Sequence, residues 1–187
     1  MTTLPLRPAP APRVAAPRLP ARARRIVRAA HIVFSGGWLG LVVGMLTLGL
    51  SAVLTTDPLF ALVSYTIMER FGVAIPVFAI GSILTGVALS VATAWGLLRH
   101  WWIVVKVVVA VVTVVSAVAL GNGWRRQAVE ELGDPAVGAW GWLLVACAIG
   151  HLVLLGAATL ISVARPWGPT PRGRRFAAAR RMRGGKQ

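Results

Sequence analysis

The chain has 187 residues, of which 57% are hydrophobic, with 20 Lys and Arg against 5 Asp and Glu and a formal net charge of +15. Mean hydropathy is +0.74. So apolar a composition excludes an ordinary soluble domain, and the single cysteine, Cys147, excludes an intramolecular disulfide framework.

Residues 1–27 are mostly proline, alanine and arginine. They hold too little apolar surface to order themselves, so a disordered basic tail is predicted. A first apolar run follows over 29–54. It is too long for a signal-peptide core and lacks a small-residue cleavage site, so it reads as an uncleaved span. Further runs cover 73–98, 102–120 and 137–164. Each is long enough for a helix to cross a hydrocarbon core of about 30 Å. The third is crowded with valine, but a lone strand in lipid leaves its backbone unpaired, so a helix is expected there too. Gly121-Asn122-Gly123 reads as a turn after the third run. Residues 165–187 form a second basic tail, again predicted to be disordered. The fold class is therefore all-α: a polytopic membrane protein with a four-helix transmembrane domain over 28–164.

All five carboxylates lie in two segments: Asp57 and Glu69 between the first and second runs, and Glu130, Glu131 and Asp134 between the third and fourth. Arginines dominate the two tails, and Arg99 sits in the short middle loop. Basic residues are retained on the cytoplasmic side, so both termini are expected in the cytoplasm, with the protein in the inner (plasma) membrane. Trp95, Trp101, Trp102 and Trp167 would mark the inner boundary, and Trp124, Trp140 and Trp142 the outer one. Trp38 falls about two turns inside the first span. The basic tails suit anionic lipid headgroups, and they lack the interleaved aromatic residues that would stack bases, so nucleic acid is not an expected partner.

Small residues must let helices approach in lipid. Gly36, Gly40 and Gly44 lie on one face of the first span, and Ser82, Gly86 and Ser90 share one spacing on the second. These faces are expected to pack together, with a homodimer or membrane-complex seam along the glycine face as the alternative. Lys106, Ala110, Thr113 and Ala117 form one stripe of the third span that should face the bundle. Intramembrane ionisable residues are costly and are candidates for function. Here they are His31, Lys106 and His151, with His100 at the interface. Each also has a plain role: Lys106 snorkelling, the histidines bonded to carbonyls or neighbouring helices. Cys147 and His151 stand at i, i+4 and offer two metal ligands. No phosphate-binding glycine loop, zinc helix motif or nucleophile elbow is present, so no catalytic residue is assigned.

The stretch His31-Ile-Val-Phe-Ser-Gly-Gly-Trp38-Leu-Gly40, with Thr93-Ala-Trp95-Gly96-Leu-Leu-Arg99-His100-Trp101-Trp102 and the following Lys106, resembles a domain-of-unknown-function family of actinobacterial four-helix membrane proteins. The resemblance covers residues 28–118. More distantly, the layout is similar to copper-resistance D type membrane proteins and to the haem-binding membrane protoporphyrinogen oxidases. The latter resemblance implies haem b near His31, with Lys106 beside it. His100, Trp38 and Trp102 would complete such a haem or metal site. Two readings remain open: a structural or accessory membrane component with no cofactor, or a haem- or metal-binding redox protein using His31. A small transporter component is a third.

Overall fold

The structure, a computed structural model, describes residues 19–92, 96–132 and 138–184. Most of the N-terminal tail, with Arg7, Arg13 and Arg18, lies outside the described residues, as do Thr93, Trp95, Asp134 and Lys186. The described helices are α1 (Ala21–Leu54), α2 (Pro58–Ala92), α3 (Trp101–Glu130), α4 (Ala139–Ala164) and α5 (Pro171–Gly184). The first four are long and apolar enough to cross a membrane, which makes this a multi-pass membrane protein. They form a ring in which α1 packs on α2 and α4, and α3 packs on α2 and α4; α2 and α3 are the least closely packed neighbours.

Helix boundaries differ from expectation: α1 begins at Ala21, so residues 21–27 of the tail expected to be disordered are its first turns, and α2 and α3 are longer for local reasons. α2 begins at Pro58 instead of near residue 73. Asp57 caps it: its Oδ1 accepts from the Leu59 N–H at 2.9 Å, and proline suits the first helical position, where no N–H is needed. Only residues 55–57 are then left to join α1 and α2. α3 runs through Gly121-Asn122-Gly123 to Glu130, so the predicted turn is helix. Each glycine costs about 1 kcal/mol of helix propensity, but the extension buries Ala128 in a cluster with Ala61, Tyr65, Met68 and Leu144. Arg125 of that extension reaches Glu69 of α2 at 3.3 Å. The end of the bundle holding this pair is the acidic end.

At the opposite, basic end, the tail expected to be irregular contains α5. Thr170 caps it, its Oγ1 accepting from the Gly173 N–H at 3.1 Å, with Pro171 first in the helix. Thr170 also donates through Oγ1 to the Leu98 carbonyl at 2.7 Å and through its N–H to the Arg99 carbonyl at 2.8 Å. The Arg99 guanidinium lies 3.5 Å from the centre of the Phe176 ring. These contacts clasp α5 to the turn between α2 and α3, where Gly96 adopts a positive φ of 63°.

The expected packing of Gly36, Gly40 and Gly44 on Ser82, Gly86 and Ser90 is met in part: Gly44 meets the Phe71 ring of α2 and Gly86 lies against His31 of α1, while Gly36 and Gly40 have no atom within 4 Å of where a Cβ would stand. The rest of the contact runs through the neighbouring Gly37 and through Gly81. Phe78 of α2 fills the notch at Gly37, and Phe34 of α1 fills the notch at Gly81. The two rings meet edge to face with centroids 6.2 Å apart. An aromatic ring buries far more area than a glycine–glycine contact, so the pair of notches decides the register. Gly37→Leu and Gly81→Leu are therefore expected to destabilise the bundle by about 1–3 kcal/mol through overpacking. Gly36→Leu and Gly40→Leu should change stability little. Thermal unfolding midpoints in mild detergent would check this, and equal damage at Gly36 and Gly37 would contradict the register.

Candidate functional site: a cavity holding His31 and Lys106

α3 presents Lys106, Ala110, Thr113 and Ala117 on one face, and that face lines two cavities along the seam between α2 and α3. The first, at the basic end, is about 100 Å³; its polar walls are His31, Ser82, Ser90, Trp102 and Lys106. The second, toward the acidic end, is about 180 Å³ and includes Trp38, Thr113, Asn122, Arg125 and His151.

His31 is locked by α2. Its Nδ1 lies 3.0 Å from the Ser82 carbonyl oxygen and 3.0 Å from Thr85 Oγ1. A carbonyl only accepts, so Nδ1 carries a proton. Thr85 gives its own hydroxyl proton to the Gly81 carbonyl at 2.6 Å, which leaves its oxygen to accept from the same Nδ1–H. In the neutral imidazole the lone pair is then on Nε2, which bonds to none of the described residues. The ring lies against Gly86: a Cβ there would stand 3.1 Å from His31 Cε1. Glycine at 86 thus makes room for the imidazole instead of for a backbone of α1. Ser90 closes its hydroxyl onto the Gly86 carbonyl at 2.9 Å.

Lys106 sits between two helices. Its Nζ donates to Ser162 Oγ of α4, whose hydroxyl donates in turn to the Ala158 carbonyl at 3.1 Å. An ammonium has three donors and this one uses one. Among the described residues no carboxylate lines the first cavity.

The remaining candidates are elsewhere. Trp38 is buried in the apolar cluster with Val42 and Ala79, all three on the wall of the second cavity. His100 is in the α5 clasp, its backbone bridged to Pro169. His151 bonds through Nε2 to Ser116 Oγ of α3 at 2.8 Å, with Cys147 Sγ 3.7 Å from the same nitrogen. Among the described residues no three His, Cys, Asp or Glu side chains gather as a metal would need. The structure brings together His31, Trp102 and Lys106, and separates them from His100, Trp38 and the Cys147–His151 pair. It adds Ser82, Ser90 and Ser162, of which Ser162 was not singled out; it lies on the fourth span, where nothing in the order of residues ties it to Lys106.

The chain matches no family model, no curated protein and no solved structure.

The implied haem does not fit these residues. Pockets for ligands of drug or cofactor size occupy about 300–1,000 Å³. The first cavity is about 100 Å³, and the ring of His31 is already packed against Gly86. The other proposed haem neighbours, His100 and Trp38, do not reach it. Protein purified from cells with ample haem is expected to show no Soret band. A band that shifts on dithionite reduction and disappears in His31→Ala would contradict this size argument.

Proposed function

We propose that this chain is an accessory component of the plasma membrane, with cytoplasmic termini, that holds the anionic headgroup of a phospholipid in the Lys106 cavity. The observation that carries the reading is the ammonium group itself, which reaches one serine hydroxyl and no carboxylate. A cation inside the hydrocarbon costs up to about 2.5–3.5 kcal/mol on insertion scales, less near the interface. A hydrogen bond involving a charged group returns about 1.5–3 kcal/mol in net terms. The serine thus offsets much of the cost but brings no countercharge. A phosphate oxygen would use a free ammonium donor and supply the missing countercharge. Ser82 borders the same space, and its hydroxyl is a donor suited to an anion.

Inorganic phosphate offers the same chemistry. The lipid is favoured by the place of the cavity, which lies between α2 and α3, the least closely packed pair of adjacent helices. The positive-inside rule puts the basic end at the cytoplasmic leaflet, where anionic lipids gather.

Native mass spectrometry of protein released from mixed phosphatidylglycerol and phosphatidylcholine bilayers tests the reading. Wild type is expected to retain the anionic lipid. Lys106→Met should reduce that retention about tenfold, the effect of losing one charged hydrogen bond. Equal retention of both lipids by wild type would refute the headgroup site. Loss of the lipid on adding millimolar inorganic phosphate would reassign the site to the free anion.

A further inference from the structure

The stripe of α3 that carries Lys106 does not stop at the first cavity. Lys106 and Ala110 line the first cavity, and Thr113, Ala117, Gly121 and Arg125 continue along the second. These positions recur at three- and four-residue spacing, so they form one face of one helix. Three of its members are alanine or glycine, which keeps the face recessed. From Lys106 to Arg125 is nineteen residues, about 28 Å at a helical rise of about 1.5 Å per residue. That is close to the roughly 30 Å thickness of a bilayer hydrocarbon core.

Each end of the stripe carries a cation. Lys106 stands at the basic end and Arg125 at the acidic end. Arg125 is paired with Glu69 at 3.3 Å through a single nitrogen, so its planar fork keeps other N–H groups for a second anion. Between the ends, the interruption is short. Ala110 borders the first cavity and Thr113 and Val114 the second, so less than one helical turn of α3 separates them. Opposite, Ser82 of α2 belongs to the first cavity and Ala79 to the second. The block is the cluster of Trp38, Val42 and Ala79, with Ala110 and Val114 packed against it. Its α2 and α3 sides are built partly from alanine; Ile75, Phe78, Leu152 and Leu155 also pack against it, and its largest side chain is the Trp38 indole. The seam it blocks is the least closely packed of the four between adjacent helices.

We propose that the α2–α3 seam is a groove that carries an anionic phospholipid headgroup between leaflets, with the acyl chains remaining in the surrounding lipid. Lys106 and Arg125 are its two stations, and movement of the Trp38 indole opens the step between them. The proposal rests on the headgroup reading of the Lys106 cavity and adds an activity to it. Charge complementarity selects the occupant: a cation stands at each end, no carboxylate among the described residues lines either cavity, and Glu69 is held by Arg125. A zwitterionic headgroup would bring its own cation to each station and gain less.

The test uses full-length protein in vesicles of phosphatidylcholine and phosphatidylglycerol, with a trace of phosphatidylglycerol bearing a fluorophore on its acyl chain. Dithionite added outside bleaches the outer leaflet. Without transfer between leaflets, bleaching stops at half. Wild-type protein is expected to take it nearly to completion, while a soluble dye trapped in the same vesicles stays bright. Lys106→Met should slow the second phase about tenfold, matching its loss of lipid retention. Ala110→Trp, which fills the groove, should abolish the second phase. Val108→Trp, on the exposed side of the same helix, should leave it unchanged. Ala117→Phe provides a second groove block should Ala110→Trp fail to elute as folded protein.

Half bleaching with wild type that still retains phosphatidylglycerol would overturn the groove and leave the headgroup site standing. Half bleaching without retention would remove both. Full bleaching that is indifferent to Lys106→Met and to both groove blocks, or that also bleaches the trapped dye, would overturn the groove as the route.

Discussion

A lysine inside a span without a carboxylate partner is the constraint around which this fold is arranged. The ammonium of Lys106 is too costly to leave bare in hydrocarbon. Its long stem lets the charge sit toward the basic end, and Ser162 of α4 receives it there. That contact ties α3 to α4 at the level where α2 supplies the Ser82 carbonyl to His31 of α1. Polar contacts at the basic end therefore link the four helices in two pairs, with the cavity between them.

The two sides of the ring are built differently. α1 and α2 are fixed by aromatic rings seated in glycine notches, Phe78 at Gly37 and Phe34 at Gly81. Such an interface has one register, because a ring cannot slide past a neighbouring Cβ without overlap. The α2–α3 side has alanines and polar groups instead, and its closure depends on the turns that join the helices. At the acidic end the extensions of α2 and α3 form a small core of their own around Tyr65, Met68 and Ala128. At the basic end α5 holds the turn through Thr170 and Phe176. The ends are thus tied while the middle of the seam is left less filled, an arrangement that localises any opening to the cavities.

Much of this was legible in the residues. The four apolar runs became four helices, and the stripe of Lys106, Ala110, Thr113 and Ala117 does face the bundle, because a 3.6-residue period leaves a helix few choices once one face is polar. His31 and Lys106 were grouped by nearness to one membrane boundary and Trp102 joined them through the resemblance; the three line one cavity. What failed depended on partners far away in the chain. The adjacent glycines at 36 and 37 offer two faces, and only the positions of Phe34 and Phe78 across two helices select the second. Ser162 is one hydroxyl among several on its span. The early start of α2 at Asp57-Pro58 and the start of α5 at Thr170-Pro171 were readable as cap signals. They were outweighed by hydropathy, which reports where a chain is apolar and not where its helix begins. His100 was placed with His31 by depth and Trp38 by helix face; the α2–α3 turn takes His100 into the α5 clasp, and two turns along α1 take Trp38 to the second cavity.

The central claim is that the side chain at 106 projects into a seam cavity that an anion can reach. The most direct measurement is the alkylation rate of Lys106→Cys by a charged, membrane-impermeant thiol reagent, in protein also carrying Cys147→Ser, reconstituted in phosphatidylcholine vesicles with the basic end outward. The account predicts rapid labelling at 106, none at a Val108→Cys control facing lipid, and protection at 106 when phosphatidylglycerol is included. Labelling at 106 as slow as at 108, or as fast with the anionic lipid as without it, would contradict the account.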